Sequence, residues 1–366
     1  MPIIPFLDLR VTDSAERQVL LGAIDRVLLH GRLINGPEVD ELERAVAARV
    51  GRRHAIGVGS GTDALVLAMS ALDIGPGDEV ITTPLSFMAT TNAILSLGAV
   101  PVFADILDDL TIDPTRIEAL IGPRTRLILP VHWAGKVCRM EEIRDIADRH
   151  GVTVVEDCAQ AFGALRAGKA SGAFGSLGCF SMNTMKPFAS LGEAGMIVTD
   201  DDSLASRIRV LRYHGFTDRV TCREVSGNHR LDTIQAAVLL ERLKRFDDLV
   251  ARRRDHAAYY LERLKGVVGM FPDHPGCRDV YYTFTIVSER RDQLREALAA
   301  QWIETNLQHP LLCSQQPALA GRGSGECLRA ERMVQQVLCL PANEKITDDQ
   351  RAAVADAVIA FFDGAR

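Results

Sequence analysis

Gly178-Cys179-Phe180-Ser181-Met182-Asn183-Thr184-Met185-Lys186 is an apolar, strand-like run that ends on a lone lysine. Gly192, Glu193 and Gly195 follow, and then a second strand-like run, Met196-Ile197-Val198-Thr199. An unpaired ammonium is costly to bury. A lysine between two buried strands is useful as an amine nucleophile, held as a Schiff base with an aldehyde cofactor. Otherwise it sits on a loop that reaches water, as most lysines do. The rest of the chain decides between the two.

Working outward, short apolar strands alternate with amphipathic helices. Residues 14–30 have helical spacing and Gly31 stops them. Gly36-Pro37 opens a second helix. Ala55–Val58 reads as a strand, and Ser60-Gly61-Thr62-Asp63 starts a helix to Leu72. After the turn at Gly75–Asp78 come strand Glu79–Thr82, helix Ser86–Leu97 and strand Val100–Ala104. A helix from Asp113-Pro114 to Ile121, strand Arg126–Val131, helix Met140–His150 and strand Val152–Glu156 continue the series. This pattern predicts an α/β fold with a mostly parallel central sheet and helices on both faces, with ligands at the carboxyl ends of the strands. From Thr233 the pattern changes. One long helical stretch reaches Leu261, then come strand Val280–Val287 and helices at Gln293–Gln301, Glu326–Val337 and Thr347–Phe362. The expected division is a large α/β domain over 1–245 and a smaller C-terminal α+β domain over 246–366.

The 366 residues are 47% hydrophobic and 25% charged, as in a globular protein, with a formal net charge of −6. Arg252-Arg253-Arg254 is too short a basic block for a nucleic-acid or membrane patch, and 5% aromatics argues against a base-stacking surface. No apolar run reaches the roughly 18 residues that span a bilayer. The N-terminal Met1-Pro2-Ile3-Ile4-Pro5-Phe6-Leu7-Asp8 has no basic, then apolar, leader pattern. Eight cysteines form no CxxC pair, so reduced thiols in a cytoplasmic protein are expected. His132 with Cys138 is one pair and not the four ligands of a zinc site, so no metal is expected.

Four features converge on a phosphorylated pyridine aldehyde. Gly59-Ser60-Gly61-Thr62 lies between a strand and a helix, where small residues and free N–H groups suit an anion; a plain helix cap accounts for it equally well. Gly57-x-Gly59 fails the dinucleotide pattern, because Thr62 stands at the third glycine position. Asp157, ending Val154-Val155-Glu156-Asp157, would face the ligand crevice and pair with a protonated ring nitrogen, or else cap a helix. Lys186 follows 29 positions later. Ser86-Phe87 ends another strand, and Phe87 could stack on a flat cofactor or belong to the core.

Together these motifs resemble the DegT/DnrJ/EryC1/StrS family of pyridoxal-phosphate-dependent sugar aminotransferases, of fold type I, over nearly the whole chain. Phe6-Leu7-Asp8-Leu9, Asn35-Gly36-Pro37, Ser60–Leu65, Pro76–Val80, Pro130-Val131-His132, Glu156–Ala161, Phe180–Lys186, Gly227–Asp232 and Gln235-Ala236-Ala237 carry the likeness in order. The resemblance implies that Lys186 forms the Schiff base and then shuttles the proton, and that Asp157 pairs with the ring nitrogen. Gln160 would bond the ring hydroxyl, Gly61, Thr62 and Ser181 would hold the phosphate, and Phe87 would stack on the ring. Asn228 would reach the phosphate of the other subunit, which makes a homodimer part of the mechanism. Arg230 and His309 are implied substrate contacts. L-Glutamate is the expected amino donor, and a nucleotide-linked keto-deoxyhexose the expected acceptor.

The chain departs from the family pattern in two places. Ala194 interrupts Gly192-Glu193-Ala194-Gly195 where relatives carry Gly-Glu-Gly-Gly. More important, Gln308-His309-Pro310 stands for a His-Tyr-Pro element, and Ser314 for a later histidine before Gln316-Pro317. Two contacts to the acceptor are therefore altered, and a keto-cyclitol acceptor is the near rival. A non-catalytic, cofactor-binding regulator is the rival of another class, and the complete set of Asp157, Gln160, Ser181 and Lys186 speaks against it. Lys186 also argues against the family's dehydratase branch, where histidine replaces it.

Overall fold

A computed structural model describes residues 3–218 and 220–364. Met1 and Pro2, which open the stretch read for a leader, lie outside the described residues. Local chemistry sets the first elements. Helix α1 (Ser14–His30) starts where Asp13 accepts the Glu16 N–H and stops where Gly31 turns left-handed at φ 70°. Helix α2 (Pro37–Val50) has its proline in the first turn. Then follow β1 (His54–Val58), α3 (Gly61–Ala71), β2 (Glu79–Thr82), α4 (Met88–Ser96), β3 (Val100–Phe103), α5 (Pro114–Glu118), β4 (Thr125–Leu129), α6 (Met140–His150) and β5 (Thr153–Asp157). The short pair β6 (Leu165–Arg166) and β7 (Lys169–Ala170) precedes β8 (Leu177–Ser181), β9 (Gly195–Thr199) and α7 (Asp202–Leu211).

The central sheet has seven strands in the order β1-β9-β8-β5-β4-β2-β3. Only β9 is reversed, pairing antiparallel with β1 and β8, while the others pair in parallel. Successive residues of each strand point to opposite faces, and both faces are buried. Ile81, Ile128, Val154, Phe180 and Met196 meet α2 and α6 on one side. Val80, Leu127, Val155, Cys179 and Ile197 meet α3, α4 and α7 on the other. The expected parallel sheet with helices on both faces is therefore what forms.

The second half departs from the sequence reading in its details. The stretch from Thr233 to Leu261 is two helices, α8 (Thr233–Leu243) and α9 (Phe246–Arg263). The break at Arg245 turns Phe246 into a buried aromatic cluster, 5.1 Å from Phe162 and 5.5 Å from Phe188 between ring centroids. After β10 (Gly269–Met270) and β11 (Cys277–Arg278), the expected strand over 280–287 shortens to β12 (Phe284–Val287). Tyr281 sits at φ 47°, which no strand residue adopts, and the Val280 N–H donates out of register to Gly135 O at 3.1 Å. Helix α10 (Arg291–Ala300) follows, and the expected helix over 326–337 is α11 (Leu328–Val334) running into a strand, β13 (Val337–Leu340), before α12 (Asp348–Asp363). Strands β10, β12 and β13 form a small antiparallel sheet packed on α9, α10 and α12.

Two excursions tie this region to the rest. Ile4 belongs to its core, exchanging backbone bonds with Trp302 and Glu304 at 2.9 and 3.0 Å. In return Ser324 lies parallel to β3, accepting the Phe103 N–H at 2.7 Å.

Gly195 is paired with Val58 on one side and Ser181 on the other, and a Cβ there would land on the Ser60 carbonyl oxygen. Gly195→Ala is expected to cost about 2 kcal/mol or more of stability, because backbone must move. Gly192→Ala, whose Cβ would meet only the flexible Gln235 amide at 3.4 Å, should be near neutral. Chemical denaturation of the two variants side by side checks the contrast.

Candidate active site

Strand ends and the connections after them bring most of the expected residues to one cavity. Asp157 ends β5, the central strand, and its side chain is only 3% exposed. Thr90 Oγ1 donates to Oδ2 at 2.7 Å and the Ala159 N–H to Oδ1 at 3.1 Å. Ser86 Oγ lies 2.8 Å from Thr90 Oγ1 and backs it. Burial pushes the Asp157 carboxyl above the usual carboxylate range, against the pull of Thr90, Ala159 and Lys186. The neighbouring Glu156 turns to the other side of β5 and is fully buried. It accepts the N–H groups of Gly172, Phe174 and Gly175 at 2.7 to 2.9 Å and meets His132 Nε2 at 2.8 Å. The Cys138 N–H donates to His132 Nδ1 at 3.2 Å, so Nε2 carries the hydrogen and donates to Glu156. Burial alone would raise Glu156, yet His132 and the backbone donors outweigh it and hold the carboxyl below the usual range.

Lys186 lies on the connection from β8 to β9, half-buried, with Nζ 4.5 Å from the centre of the Tyr282 ring. Ser181 ends β8 against the start of α3: a Cβ on Gly61 would come within 2.5 Å of Ser181 Cβ. Ser60 caps α3, accepting the Asp63 N–H at 3.0 Å with its side chain and the Ala64 N–H at 3.0 Å with its carbonyl. The Gly61 and Thr62 amides have no acceptor among the described residues and open toward the cavity. Phe87 is 61% exposed at the cavity wall, its ring 5.7 Å from that of His309.

Gly61, Thr62, Phe87, Asp157, Gln160, Ser181, Lys186 and His309 all line this one cavity of about 1170 Å³. That exceeds the roughly 300–1,000 Å³ of ordinary small-molecule sites and leaves room for a cofactor and a large second ligand. Asn228 and Arg230 do not line it. Arg230 Nε donates to Asn228 Oδ1 at 3.0 Å, and its guanidinium covers the Tyr213 ring at 3.9 Å, outside the cavity. The residues present fit a phosphorylated pyridine: a buried carboxylate for a protonated ring nitrogen, a glycine cradle under unpaired helix amides for a phosphate, and an amine opposite an aromatic ring.

Sequence reasoning missed Thr90, Tyr282 and Gln308. Thr90 is an ordinary-looking helical threonine, and Tyr282 lies in a segment that read as strand. Gln308 stands out in the sequence only as a departure from the family's His-Tyr-Pro element. It donates through Nε2 to Gln160 Oε1 at 3.2 Å. His309 sits at φ 55° with Trp133 at 5.2 Å, and burial, followed by the charge of Lys186, lowers its imidazole to about 4. It is neutral near pH 7. Of the two cysteines near His132, Cys138 donates from Sγ to the Val131 carbonyl, and burial pushes Cys158 up to about 12. His132, Glu156 and Cys158 lie close enough to share an ion, but His132 and Glu156 are already tied to one another and to backbone donors.

The model of the DegT/DnrJ/EryC1/StrS aminotransferase family matches residues 15–359. The dTDP-3-amino-3,4,6-trideoxy-alpha-D-glucose transaminase of Streptomyces venezuelae is 41% identical, with 98% of this chain and 96% of that protein aligned. The Pleiotropic regulatory protein of Geobacillus stearothermophilus is 37% identical over 98% of each chain. The UDP-N-acetyl-3-dehydro-alpha-D-glucosamine 3-aminotransferase of Acidithiobacillus ferrooxidans is 38% identical over 97% of each. The solved structure of S. venezuelae DesV in complex with a ketimine intermediate superimposes with a TM-score of 0.96, covering 99% of both chains at 41% identity.

The raised Asp157 carboxyl sets a pH-dependent stability. Its folded-state value lies above its unfolded one, so the native chain holds the extra proton and stability falls as pH rises through that window. Cofactor-free Asp157→Asn should therefore melt higher than cofactor-free wild type at neutral pH, and the gap should close as pH falls below about 4, where both side chains are neutral. Melting curves of the two apoproteins against pH check this; an equal gap at all pH values would refute it.

Proposed function

The chain belongs to the DegT/DnrJ/EryC1/StrS aminotransferase family, and from that membership we propose that it moves an amino group from L-glutamate to a nucleotide-linked keto sugar through a site shared between two subunits. It is a pyridoxal-phosphate-dependent aminotransferase of amino-sugar formation. The observation that carries the site assignment is the convergence of Asp157, Lys186 and the Gly61–Thr62 cradle on one cavity.

Bound pyridoxal phosphate supplies an aldehyde for amine exchange and a ring that takes up the electron pair left when the substrate carbon is deprotonated. The chain's own residues do the rest. Asp157, an anion despite burial once a cation faces it, holds the proton on the ring nitrogen. The Gly61 and Thr62 amides, the Thr62 hydroxyl and Ser181 bind the phosphate at the positive end of α3. Gln160 bonds the ring oxygen and Phe87 covers the ring face. Lys186 would hold the cofactor at rest; its freed amine would take the proton from the substrate carbon and deliver it to the cofactor's aldehyde carbon, as a general base and then acid. His309, neutral and seated at the cavity wall, offers an uncharged hydrogen-bonding contact to a sugar. Residues 1–245 form the cofactor-binding domain and residues 246–366 the smaller domain that brings Tyr282 and His309 to the mouth.

Two features support the homodimer. The first is an apolar stripe on α1, where Leu21, Leu28 and Leu29 are 58%, 60% and 80% exposed. The second is Asn228, exposed and outside its own chain's cavity, where it is available to a partner's phosphate. A nucleotide-linked acceptor is favoured over a cyclitol by the cavity volume and by the substrates named for two relatives. A regulatory role is a second reading, because one relative of equal coverage carries a regulatory name.

With cofactor added, wild type should show a visible absorbance band that L-glutamate bleaches to the pyridoxamine form, and Lys186→Ala should show neither band nor response. A cofactor-loaded protein indifferent to glutamate would remove the donor assignment and favour the regulator. Turnover with dTDP- and UDP-linked keto sugars against inososes then ranks acceptors, and His309→Ala should raise KM for the acceptor about tenfold with little change in kcat. Subunit sharing has its own test: mixing inactive Lys186→Ala with a weakened Asn228→Asp chain should recover activity through mixed dimers, whereas no recovery would place Asn228 outside the partner's site.

A further inference from the structure

We propose that Gln308 is a positioning residue that locks the side-chain amide of Gln160 with Nε2 turned into the cavity, so that Gln160 can only donate a hydrogen bond there. The polarity is set by a backbone group that cannot reverse. The Ala134 N–H donates to Gln160 at 2.8 Å, so the atom it meets is the carbonyl oxygen Oε1. Gln308 meets the same oxygen at 3.2 Å and must present its own Nε2. Its Oε1 is then left facing Thr283, whose hydroxyl donates to it at 2.9 Å. Gln160, Gln308 and Thr283 are 3%, 6% and 6% exposed, so a reversed amide would set N–H against N–H with little water to relieve it. Both lone pairs of Gln160 Oε1 are occupied, and Nε2 has no acceptor among the described residues. The hydrogens it has to give point at the cavity that Gln160 lines.

The chain Thr283–Gln308–Gln160 crosses from the smaller sheet region to the end of β5. Thr283 follows Tyr282, the ring under Lys186 Nζ, so the segment that packs against the lysine also fixes the polarity of the amide beside it. The inference rests on the reading of the cavity as a pyridoxal phosphate site. A donor fixed against the cofactor's ring oxygen draws negative charge away from the Lys186 nitrogen and lowers that nitrogen's affinity for a proton. Without Gln308 only the Ala134 N–H would hold the Gln160 oxygen, and an amide held at one point can swing its N–H groups off the ring oxygen and lose part of that effect.

The test is a pH titration of the visible band in apoprotein reconstituted with pyridoxal phosphate, for wild type, Gln308→Met, Gln308→His, Thr283→Val and Gln160→Met. Gln308→Met keeps the volume and removes the donor; its midpoint should rise by about half a pH unit or more. Gln308→His, which keeps an N–H, should return the midpoint toward wild type. Thr283→Val, a milder change, should shift it upward by less. Gln160→Met should shift it the same way, and the double variant Gln160→Met/Gln308→Met should go no further than Gln160→Met alone. A wild-type midpoint in Gln308→Met or Thr283→Val, or additive shifts in the double variant, overturns the inference while the cofactor assignment stands. Absence of any band in wild type overturns the cofactor assignment and the inference with it.

Discussion

Glu156 and Asp157 are adjacent carboxylates on one strand, and they point to opposite sides of the sheet because strand side chains alternate. Glu156 gathers three backbone amides from the turn at 172–175 and the His132 ring from the loop after β4. That turn delivers the chain into β8, so the register of β8 against β5 is fixed by an acceptor buried beneath it. Asp157 can then face the cavity only while Glu156 faces the turn. A slip of one residue would send the cavity's carboxylate into the apolar layer and leave the turn's amides without acceptors. The distance from Asp157 to the lysine connection after β8 is inherited from this pairing.

How far the sequence is readable follows from what each signal depends on. The strands and helices of the large sheet were legible because both faces are buried, which leaves unbroken apolar runs punctuated by Gly31, Gly75-Pro76-Gly77 and Gly151. Lys186, Asp157 and the Gly61–Thr62 cradle are legible as motifs because each lies at or shortly after the carboxyl end of a strand, where order along the chain maps onto position in the crevice. The break at Arg245 was not, because what interrupts the helix is the burial of Phe246 among Phe162 and Phe188, partners more than fifty residues away in sequence. Strand β13 hid behind α11, since Val334 to Leu340 is equally apolar under either period. Thr90 carries no local signature and Gln308 only a departure from a family pattern; the meaning of each is a hydrogen bond to a residue far along the chain.

The cavity is walled by both regions, and buried polar links hold them in fixed relation. Lys136 Nζ reaches Asp279 at 2.5 Å and the Pro272 carbonyl at 3.1 Å, tying the loop after β4 to the segment that leads to Tyr282. Arg253, 4% exposed, donates to the Tyr282 carbonyl at 3.1 Å and pairs with Glu344 at 2.7 Å. Breaking either pair would leave a charge buried without its counterion, a larger penalty than the pair's own net contribution. These links are therefore better understood as determinants of geometry than as sources of stability, and the segment they hold is the one that carries Tyr282 and Thr283.

The single parallel bridge that Ser324 makes to β3 ties the protection of a sheet edge to the end of synthesis. β3 is the last strand of the sheet, and the backbone that covers its outer edge arrives more than two hundred residues later. During synthesis that edge stands open, with donors and acceptors ready to pair with any extended chain nearby, until the C-terminal region has emerged. So long a closure makes edge completion a late event and a slow one. Between the synthesis of β3 and that of residue 324, this edge is therefore open to pairing with another extended chain.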